Sequence, residues 1–381
     1  MKRIPLTADA VGPVARGHPW VYADGLQGKA PVGDIVQLLD TRNRPVAWGI
    51  ADEGAIAIRV LGRHPEPIER LLRNRIERAV ALRRQFIPKD TNAMRIINGA
   101  GDGLPGLVVD QYDQVLVVRL YSKAWEPHLS ACVTALKSIL APSTILRKLG
   151  VRNVDQGQSG CEHLFGSPLP PTLIIQENGL RFLVRPIEGQ KTGFFLDQRQ
   201  NRAFLGSRCQ GLRVSNLFSY TGGFSVYAAA GGAKHVTSVD ISASALADAQ
   251  ENFRLNGLDP DQHQFLATDV FQWSPEGASP DLLICDPPSL TRGKRADKAA
   301  RQAYRELATR CGRHLQANGF LATFSCTARL DNRQWMETIR DGLRKSGRWS
   351  LLWQAGEPFD HPTGLEHPEA RYLKFALFRR H

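Results

Sequence analysis

The feature that most constrains the fold is a regular alternation of segments after about residue 180. Helical stretches there separate five short apolar runs that read as strands: LRVSNLFS, HVTSVDI, HQFLATDV, DLLICD and FLATFSC. Such alternation builds right-handed βαβ units and a mostly parallel, doubly wound sheet. A later pair of runs, WSLLWQ and YLKFALFRR, is expected to close the sheet with one antiparallel member. The sequence therefore predicts an α/β domain.

Three regions of the chain differ in composition and in the spacing of their apolar residues, which predicts three domains. Residues up to about 65 are rich in glycine, proline and β-like runs, as in GDIVQLLDTRNRPVAWGIA. Residues 65–86 have helical spacing. Five arginines of this predicted helix lie outside its apolar stripe, at 70, 73, 75, 83 and 84. They are expected on a solvated face, and contact with RNA is left open as the alternative. Glycine turns and strands follow to about 175. We place a small β-domain, a linking α+β domain and the α/β domain at 1–66, 67–178 and 179–381.

Charge and composition narrow the class of protein. Lysine and arginine exceed the acidic residues by 12, so a polyanion is the expected partner through neutralisation of its phosphates. The apolar runs are short and interrupted by charges, and the basic start has no apolar stretch behind it, so neither a membrane span nor a secretory signal is predicted. Six cysteines without a CxxC pair argue against a metal site and a disulfide framework, and favour a cytoplasmic protein.

The ends of the predicted strands carry the residues that suggest chemistry. The first strand ends in LFSYTGG, whose two glycines let the backbone approach a ligand. Because the full GxGxxG spacing is absent, a dinucleotide site is not the first choice. Asp240, Asp269 and Asp286 end the next three strands, and the first of these suits the two hydroxyls of a ribose. Two prolines after Asp286 stiffen that edge, as a pocket for a planar base requires. Each acid alone is also consistent with a helix cap.

Several of these segments resemble the signatures of the bacterial large-subunit rRNA cytosine-5 methyltransferase I family. They are LFSYTGGFS, SVDISASALADAQENFRLNG, DLLICDPPS, GFLATFSCT and DHPTGLEHPEARYLKF. GQKTGFFLDQRQNR at 189–202 is similar to the family's entry segment, and RGHPWVYADGL at 16–26 to the start of its PUA domain. The resemblance spans nearly the whole chain. It implies a class I, Rossmann-like S-adenosylmethionine-dependent methyltransferase domain behind an RNA-binding PUA domain and a linking α+β domain.

The resemblance also implies roles for individual residues toward S-adenosylmethionine. The methionine part would be wrapped by Phe218, Ser219, Tyr220, Thr221, Gly222 and Gly223. The adenosine would meet Asp240 on the ribose, with Ile241, Ser242, Asp269 and Val270 around it. Asp286 would lie beside the transferable methyl group and the target base. Gln198 and Arg199 are looser candidates for the cofactor edge, and for Arg199 the alternative is an ion pair with an acid.

Cys326 ends the strand that follows Asp286, where the resemblance places a catalytic nucleophile. A thiolate that adds to carbon 6 of cytosine activates carbon 5 toward a methyl group. Taken alone, a strand-end cysteine is more often a packing residue. Cys285 is expected on the opposite face from Asp286. Related RNA enzymes carry a second cysteine after this proline motif, but the chain reads DPPSL, so the base that takes the carbon 5 proton is not identified.

The expected substrate is an unpaired or flipped cytosine in 23S ribosomal RNA. TRGKRADKAAR follows the Asp-Pro-Pro turn, and phosphate contact is predicted for Arg292, Lys294, Arg295, Lys298 and Arg301, against the alternative of a solvated helix start. A guanine-N7 methyltransferase, a small-molecule methyltransferase and a non-catalytic RNA-binding assembly factor are the alternatives. Methylation at guanine N7 needs no thiol, and a small-molecule methyltransferase leaves the basic charge unexplained. The target nucleotide and the choice between monomer and homodimer stay open.

Overall fold

The computed structural model describes residues 1–149, 160–290 and 296–381, with side chains in the last range described from residue 298. These residues divide into two compact units. The first unit consists of Met1–Gln176, Val184–Leu196 and Phe359–Ala370, and the second of Glu177–Leu183, Asp197–Pro358 and Arg371–His381. The first unit holds both predicted amino-terminal domains. It also takes two segments, 184–196 and 359–370, that the sequence placed in the α/β domain.

The first unit begins with a small mixed sheet in the order β1-β3-β4-β5-β2. Its strands are β1 (Lys2–Pro5), β2 (Trp20–Tyr22), β3 (Ile35–Leu39), β4 (Pro45–Ala51) and β5 (Ile56–Gly62). Helix α1 (Ala8–Arg16) follows β1 and ends at Gly17, whose φ of 112° lies in the left-handed region that favours glycine. Buried aliphatic side chains such as Ile4, Val21 and Ile58 form the core of this sheet.

A second sheet in the same unit has the order β10-β9-β8-β7-β6. Its strands are β6 (Ala93–Asn98), β7 (Leu107–Tyr112), β8 (Val115–Leu120), β9 (Thr144–Lys148) and β10 (Cys161–Gly166). Helices α2 (Ile68–Phe86) and α3 (Leu129–Leu140) bury their apolar stripes against it, so this part is α+β, as predicted. Among the described residues, no helix is long and apolar enough to cross a membrane.

The arginines of α2 are not all solvated, which corrects the expectation for that helix. Arg83 is 1% exposed and binds both carboxylate oxygens of Asp102, at 2.5 and 2.7 Å. It also donates to the carbonyl of Asp360, at 2.8 Å, while the Asp360 carboxylate accepts from the amide of Arg95 at 3.0 Å. A buried cation of this kind needs partners from several segments. These bonds explain why 359–370 belongs to the first unit.

The second unit is built on a seven-stranded sheet in the order β15-β14-β13-β16-β17-β19-β18. Its strands are β13 (Arg213–Leu217), β14 (His235–Asp240), β15 (Gln264–Ala267), β16 (Leu282–Cys285), β17 (Phe320–Cys326), β18 (Trp349–Ala355) and β19 (Leu373–Arg380). The first five are mutually parallel, and β19 runs antiparallel to both β17 and β18. The predicted doubly wound α/β fold is confirmed. A short hairpin sheet of β11 (Leu173–Glu177) and β12 (Leu180–Val184) precedes it in the chain.

Helices cover both faces of this sheet. They are α4 (Arg199–Gly206), α5 (Gly223–Ala230), α6 (Ala243–Leu255), α7 (Ala296–His314) and α8 (Asn332–Leu343). All four residues of β16 are buried, as expected for a central parallel strand covered on both sides. On one face Trp335 and Tyr304 pack into the main core of this unit, and on the other Phe324 stacks on Phe375 at 4.7 Å. The sheet is therefore a rigid base for the loops at its carboxyl edge.

Candidate active site

The candidate site lies at the carboxyl edge of the sheet, where the strand order reverses. Strand β13 pairs with β14 on one side and with β16 on the other, and Leu217 is in register with both Val239 and Cys285. The residues that follow these three positions therefore start neighbouring loops about 5 Å apart. In open α/β sheets this reversal point is where ligands bind. The topology brings the glycine turn, Asp240 and Asp286 to one edge.

The turn after β13 has an unusual backbone that Asp240 holds in place. Phe218 and Tyr220 have positive φ angles, 60° and 49°, and Gly222 has φ 75°. The Asp240 carboxylate accepts from the amides of Tyr220, at 2.8 Å, and Ser242, at 2.9 Å. Two non-glycine residues in the left-handed region cost free energy, and such strain persists where surrounding contacts enforce it. Asp240 thus shapes the loop, in addition to any contact with a ribose.

Three buried polar atoms at this edge have no hydrogen-bond partner among the described residues: Ser219 Oγ, Thr221 Oγ1 and Asn216 Oδ1. Each of these side chains is at most 6% exposed. Buried polar groups are normally paired, so an unpaired cluster indicates a place for a polar ligand. The amino and carboxylate groups of a methionine moiety offer the matching donors and acceptors. Asn216, which was not among the predicted cofactor contacts, thus joins Ser219 and Thr221 as a candidate contact.

The residues expected around an adenosine show three kinds of environment. Ile241 is 77% exposed directly after Asp240, so its side chain is available to pack against a ring. Val270 is buried in the core. Asp269 accepts from the amide of Phe271 at 2.9 Å, and the Ser242 hydroxyl caps α6. The role of these residues toward an adenosine stays a prediction.

The entry segment sends neighbouring side chains in different directions. Gln198 donates from Nε2 to Oδ2 of Asp286 at 3.0 Å, and its own oxygen accepts from Asn201 Nδ2 at 2.7 Å. Gln198 therefore contacts the candidate catalytic acid. Arg199 is 2% exposed and lies 3.4 Å from the fully buried carboxylate of Glu177, the alternative that the sequence left open for it.

Arg202 completes the buried charge cluster around Glu177. Its Nε and Nη2 atoms donate to the two carboxylate oxygens, at 2.8 and 2.7 Å. The hydroxyl of Tyr227 also donates to Oε1, at 3.1 Å. A bidentate pair of this type has a defined geometry and resists rotation. The cluster fixes the start of α4 and, through it, the position of Gln198.

Cys326 lies at the same edge, close to the turn that follows Asp286. Its Sγ is 4.0 Å from the carbonyl oxygen of Pro287, and the residue is partly exposed. The Tyr304 hydroxyl donates to Ser325 Oγ at 2.9 Å. Burial raises the pKa of Tyr304, the bond with Ser325 lowers it, and negative charge on Cys326 and Asp286 raises it.

The neighbouring thiol, Cys285, has a different environment. It is 2% exposed and belongs to the main core of the second unit. A hydrogen bond with Cys311, followed by burial, raises its pKa well above the usual value. Cys285 is therefore a protonated core thiol that faces away from the pocket, as strand alternation predicts. Cys326 is the partly exposed cysteine of this unit.

The predicted RNA-binding residues are only partly described. Arg292, Lys294 and Arg295 lie outside the described residues. Lys298 is exposed and Arg301 half-buried in the first turns of α7, where both line a groove on the outer face of the helix. Their contact with RNA stays a prediction.

Comparison with known proteins gives a consistent assignment. The model of an S-adenosylmethionine-dependent methyltransferase family matches residues 94–341, and that of a PUA-like domain matches residues 4–63. A ribosomal RNA large subunit methyltransferase from Deinococcus radiodurans is 38% identical, with 94% of this chain and 92% of the relative covered. Ribosomal RNA large subunit methyltransferase I from Escherichia coli O139:H28 is 32% identical, with 94% of each covered.

Solved structures agree with the sequence relatives. A crystal structure of a methyltransferase complexed with SAH is 25% identical, covers 100% of both chains and has a TM-score of 0.88. A methyltransferase structure from Streptococcus mutans, at 24% identity and a TM-score of 0.87, shares the fold over the full length of both chains. The cofactor is thus S-adenosylmethionine, which fits the unpaired polar atoms at the glycine turn. The chain belongs to the S-adenosylmethionine-dependent methyltransferases, in the family of large-subunit ribosomal RNA methyltransferases that these relatives represent.

Proposed function

We propose that this protein methylates carbon 5 of a cytosine in 23S ribosomal RNA and that Cys326 is the nucleophile. The names of its relatives support ribosomal RNA as the substrate. The observation that carries the choice of base and mechanism is the partly exposed Cys326 thiol, 4.0 Å from the carbonyl of the residue after Asp286. Methylation at guanine nitrogen 7 needs no such thiol.

The proposed reaction has two covalent steps on the base. The Cys326 thiolate adds to carbon 6, which forms an Sγ–C6 bond and moves electron density onto carbon 5 while ring nitrogen 3 takes a proton. Bound S-adenosylmethionine supplies the electrophilic methyl group that carbon 5 accepts. Loss of the carbon 5 proton to a base then allows the Sγ–C6 bond to break, and the thiolate is regenerated. A thiol suits both steps because it is a good nucleophile and a good leaving group.

Asp286 is the group we assign to the ring edge of the cytosine. Its carboxyl would hydrogen-bond the base and supply the proton to ring nitrogen 3, then recover it when the thiol leaves. The bond from Gln198 Nε2 to Asp286 Oδ2, at 3.0 Å, supports this role because it orients the carboxyl. Gln198 is itself oriented by Asn201. Gln198 is thus proposed as a positioning residue.

The cofactor is proposed to lie along the glycine turn, as the sequence predicted. Ser219, Thr221 and Asn216 would hold its amino-acid end, because their buried polar atoms have no other partner in the described part of the chain. Asp240 would accept from ribose hydroxyls with the lone pairs that its bonds to the turn leave unused. Exposed Ile241 would pack on the adenine.

The amino-terminal PUA-like domain is proposed to bind RNA through shape and backbone contacts. Lys298 and Arg301 are proposed to contact phosphates near the target base, as are Arg292, Lys294 and Arg295. The bacterial ribosomal RNA methyltransferases that the chain resembles also make the cytoplasm the proposed location.

The test is product mapping with matched cysteine variants. Unmodified 23S ribosomal RNA is incubated with the protein and methyl-labelled cofactor, and the labelled nucleotide is identified by mass spectrometry. We expect 5-methylcytosine from the wild type and from Cys161→Ala, the other partly exposed cysteine, and none from Cys326→Ala. Labelled 7-methylguanine would contradict the choice of base, and full activity of Cys326→Ala would contradict the covalent mechanism. A protein that binds RNA without transferring label would be an assembly factor.

A further inference from the structure

The outer face of α7 carries a row of cations that the active site does not use. Its basic residues are Lys298, Arg301, Arg305, Arg310 and Arg313, and they line a groove of about 590 Å³ together with one acid, Glu306. Lys298, Arg301 and Arg305 follow one another at three and four residues, as do Arg310 and Arg313 at three, and Arg310 is displaced round the helix from Arg305. All five still line the same groove. From first to last the row is about 22 Å long, at 1.5 Å per residue. It is therefore an extended basic surface.

These cations lack the acidic partners that arginines on other helices have. On α8 Arg333 pairs with Glu337 at 3.3 Å, and on α6 Arg254 pairs with Glu251 at 3.3 Å. In the described part of the chain, no ion pair involves any of the five basic residues of α7. The Arg310 guanidinium donates to the carbonyl of Trp273, which leaves its charge uncompensated.

Two arginines of the row also lie near His314 in the chain. His314, at the end of α7, has a lowered pKa, first because it is partly buried and then because Arg310 and Arg313 are near. Like charges on adjacent turns disfavour the helix unless an anion neutralises them. Arginine forks match the oxygens of phosphate groups, and spaced cations along a groove suit a polymer of phosphates better than a single anion.

We propose that this face of α7 binds the phosphate backbone of the RNA substrate, along a track from Lys298 to Arg313. The proposal rests on RNA being the substrate, but not on which base is methylated or on Cys326. It extends the predicted contacts of Lys298 and Arg301 to three further arginines. The track would add affinity and fix the register of the RNA without reading its sequence.

The test compares two triple variants with the same loss of charge. Lys298→Gln/Arg305→Gln/Arg313→Gln removes three exposed cations of the track. Arg333→Gln/Arg340→Gln/Arg344→Gln removes two exposed arginines of α8 and the exposed arginine that directly follows it, and serves as the control. Both are made in the Cys326→Ala background, so that no covalent complex forms, and binding to a 23S ribosomal RNA fragment is measured between 50 and 200 mM KCl.

We expect the α7 triple to lower the slope of log K against log salt by about two to three, at about 0.7 to 0.9 per phosphate contact. The α8 triple should change that slope by less than one. Equal slopes for the α7 triple and the parent, or equal losses in both triples, would overturn the proposal. If the parent protein shows no salt-dependent binding to the RNA, the proposal that RNA is the substrate is contradicted. This outcome does not depend on which base is methylated.

A buried lysine beside the nucleophile carries a second, independent inference. Lys374 on β19 is 6% exposed, and its ammonium donates to the carbonyl oxygens of Thr327, at 2.6 Å, and Tyr372, at 3.3 Å. No carboxylate pairs with it among the described residues. Thr327 directly follows Cys326, so the ammonium is held at the backbone carbonyl next to the cysteine, while in the strand register Lys374 is paired with Ser325 and Leu373 with Cys326.

The charges around Lys374 suggest an effect on the ionisation of the Cys326 thiol. Burial lowers the pKa of its ammonium, while negative charge on Glu357, Cys326 and Asp331 would raise it, in that order. Such a coupling is reciprocal: a thiolate that stabilises the ammonium is stabilised by it to the same extent. Since only the thiolate adds to carbon 6, a nearby cation increases the reactive fraction of the cysteine.

We infer that Lys374 is a positioning residue that fixes the backbone at Cys326 and keeps its thiol ionised. This inference rests on Cys326 being the nucleophile. Alkylation of Cys326 by iodoacetamide, followed by peptide mass spectrometry between pH 5 and 10, tests it without RNA or cofactor. Lys374→Met is compared with Lys374→Arg, which keeps the charge, and alkylation of Cys161 is the internal control.

We expect Lys374→Met to raise the pH of half-maximal alkylation of Cys326 by about one unit and to lower methyl transfer at pH 7 by about tenfold. Lys374→Arg should restore most of the pH shift, and Cys161 should not change. An unchanged midpoint in Lys374→Met would overturn the inference, even if activity falls through a structural effect. If Cys326→Ala is fully active, the proposed function fails, whereas the alkylation result still decides whether Lys374 acts on the thiol.

Discussion

Replacement of Gly222 by alanine tests the strained turn that is assigned to the cofactor. Gly222 has φ 75°, and a Cβ atom added there would lie 2.8 Å from the Cβ of Ala249. An L-residue in the left-handed region costs about 1 to 2 kcal/mol. Overpacking against a neighbour on α6 adds about 1 to 3 kcal/mol, so we expect a total loss of about 2 to 5 kcal/mol.

Gly211 provides the matched control for this substitution. Its φ is 73°, but an added Cβ would meet nothing within 4 Å. Gly211→Ala therefore carries the backbone cost alone, about 1 to 2 kcal/mol, and leaves the turn in place. Comparison of the two variants separates the free-energy cost of the left-handed backbone from the cost of the contact with α6.

Two assays read the result. Denaturant unfolding measures the loss of stability, and calorimetric titration with S-adenosylmethionine measures the affinity of the turn for the cofactor. Because the clash with Ala249 forces the turn to move, we expect Gly222→Ala to weaken cofactor binding by at least about tenfold, or about 1.4 kcal/mol, and Gly211→Ala to leave it unchanged. Cofactor binding of wild-type strength in Gly222→Ala would refute the assignment of the cofactor to this turn.

Three further predictions address the neighbouring groups. Glu177→Gln leaves two buried guanidinium groups without their carboxylate and should cost about 3 to 5 kcal/mol in denaturant unfolding, whereas Glu366→Gln, in an exposed pair, should cost under about 0.5 kcal/mol. Gln198→Ala should lower kcat about tenfold with less than a threefold change in cofactor affinity, and equal losses in both would argue against a role through Asp286. Burial lowers the pKa of His367, with opposing charge from Glu369, so the native state resists protonation. The free energy of unfolding should therefore be highest above about pH 6.5 and decrease as the pH falls from there toward the lower native pKa of His367. Unfolding measured against pH checks this, and a His367→Asn variant with an unchanged pH dependence would contradict the prediction.

The sheet could be predicted because its signals are local. Each strand of the second unit is a short apolar run next to a helical stretch, and period and order alone determine a doubly wound sheet. The location of the candidate site followed from the same rule, since Asp240 and Cys326 end strands, Asp286 directly follows one, and strand ends meet at one edge.

Contacts between residues distant in the chain could not be predicted in this way. Arg83 reads as a surface residue of an amphipathic helix, but Asp102 and the carbonyl of Asp360, 277 positions away, bury it. For Arg199 the sequence left open an ion pair with an acid, but it could not identify that acid as Glu177. Charged side chains are assigned to the surface from sequence because burial is costly, and only tertiary partners reverse that balance.

Two informative residues were not among the predicted contacts, although Lys374 lies in a segment that carries the family resemblance and Asn216 directly precedes another. Asn216 and Lys374 each lie within a strand, where the position of one polar residue does not by itself indicate a role. Their roles follow from their surroundings: Asn216 Oδ1 has no hydrogen-bond partner among the described residues, and the Lys374 ammonium is bonded to the carbonyl of Thr327, the residue after Cys326. The role of such residues can be inferred only from the structure, which shows the contacts they make with residues on other strands and loops.

The most direct test of the covalent mechanism is trapping of its intermediate. A 23S ribosomal RNA fragment that contains 5-fluorocytosine is incubated with the protein and S-adenosylmethionine, because fluorine at carbon 5 cannot leave as the proton does, so elimination of the thiol is blocked. We expect the wild type and Cys161→Ala to form a complex that survives denaturation, with the RNA attached to the peptide that contains Cys326, and we expect none from Cys326→Ala. A stable complex in Cys326→Ala, or methyl transfer to unmodified RNA with no trapped complex in the wild type, would contradict the covalent mechanism.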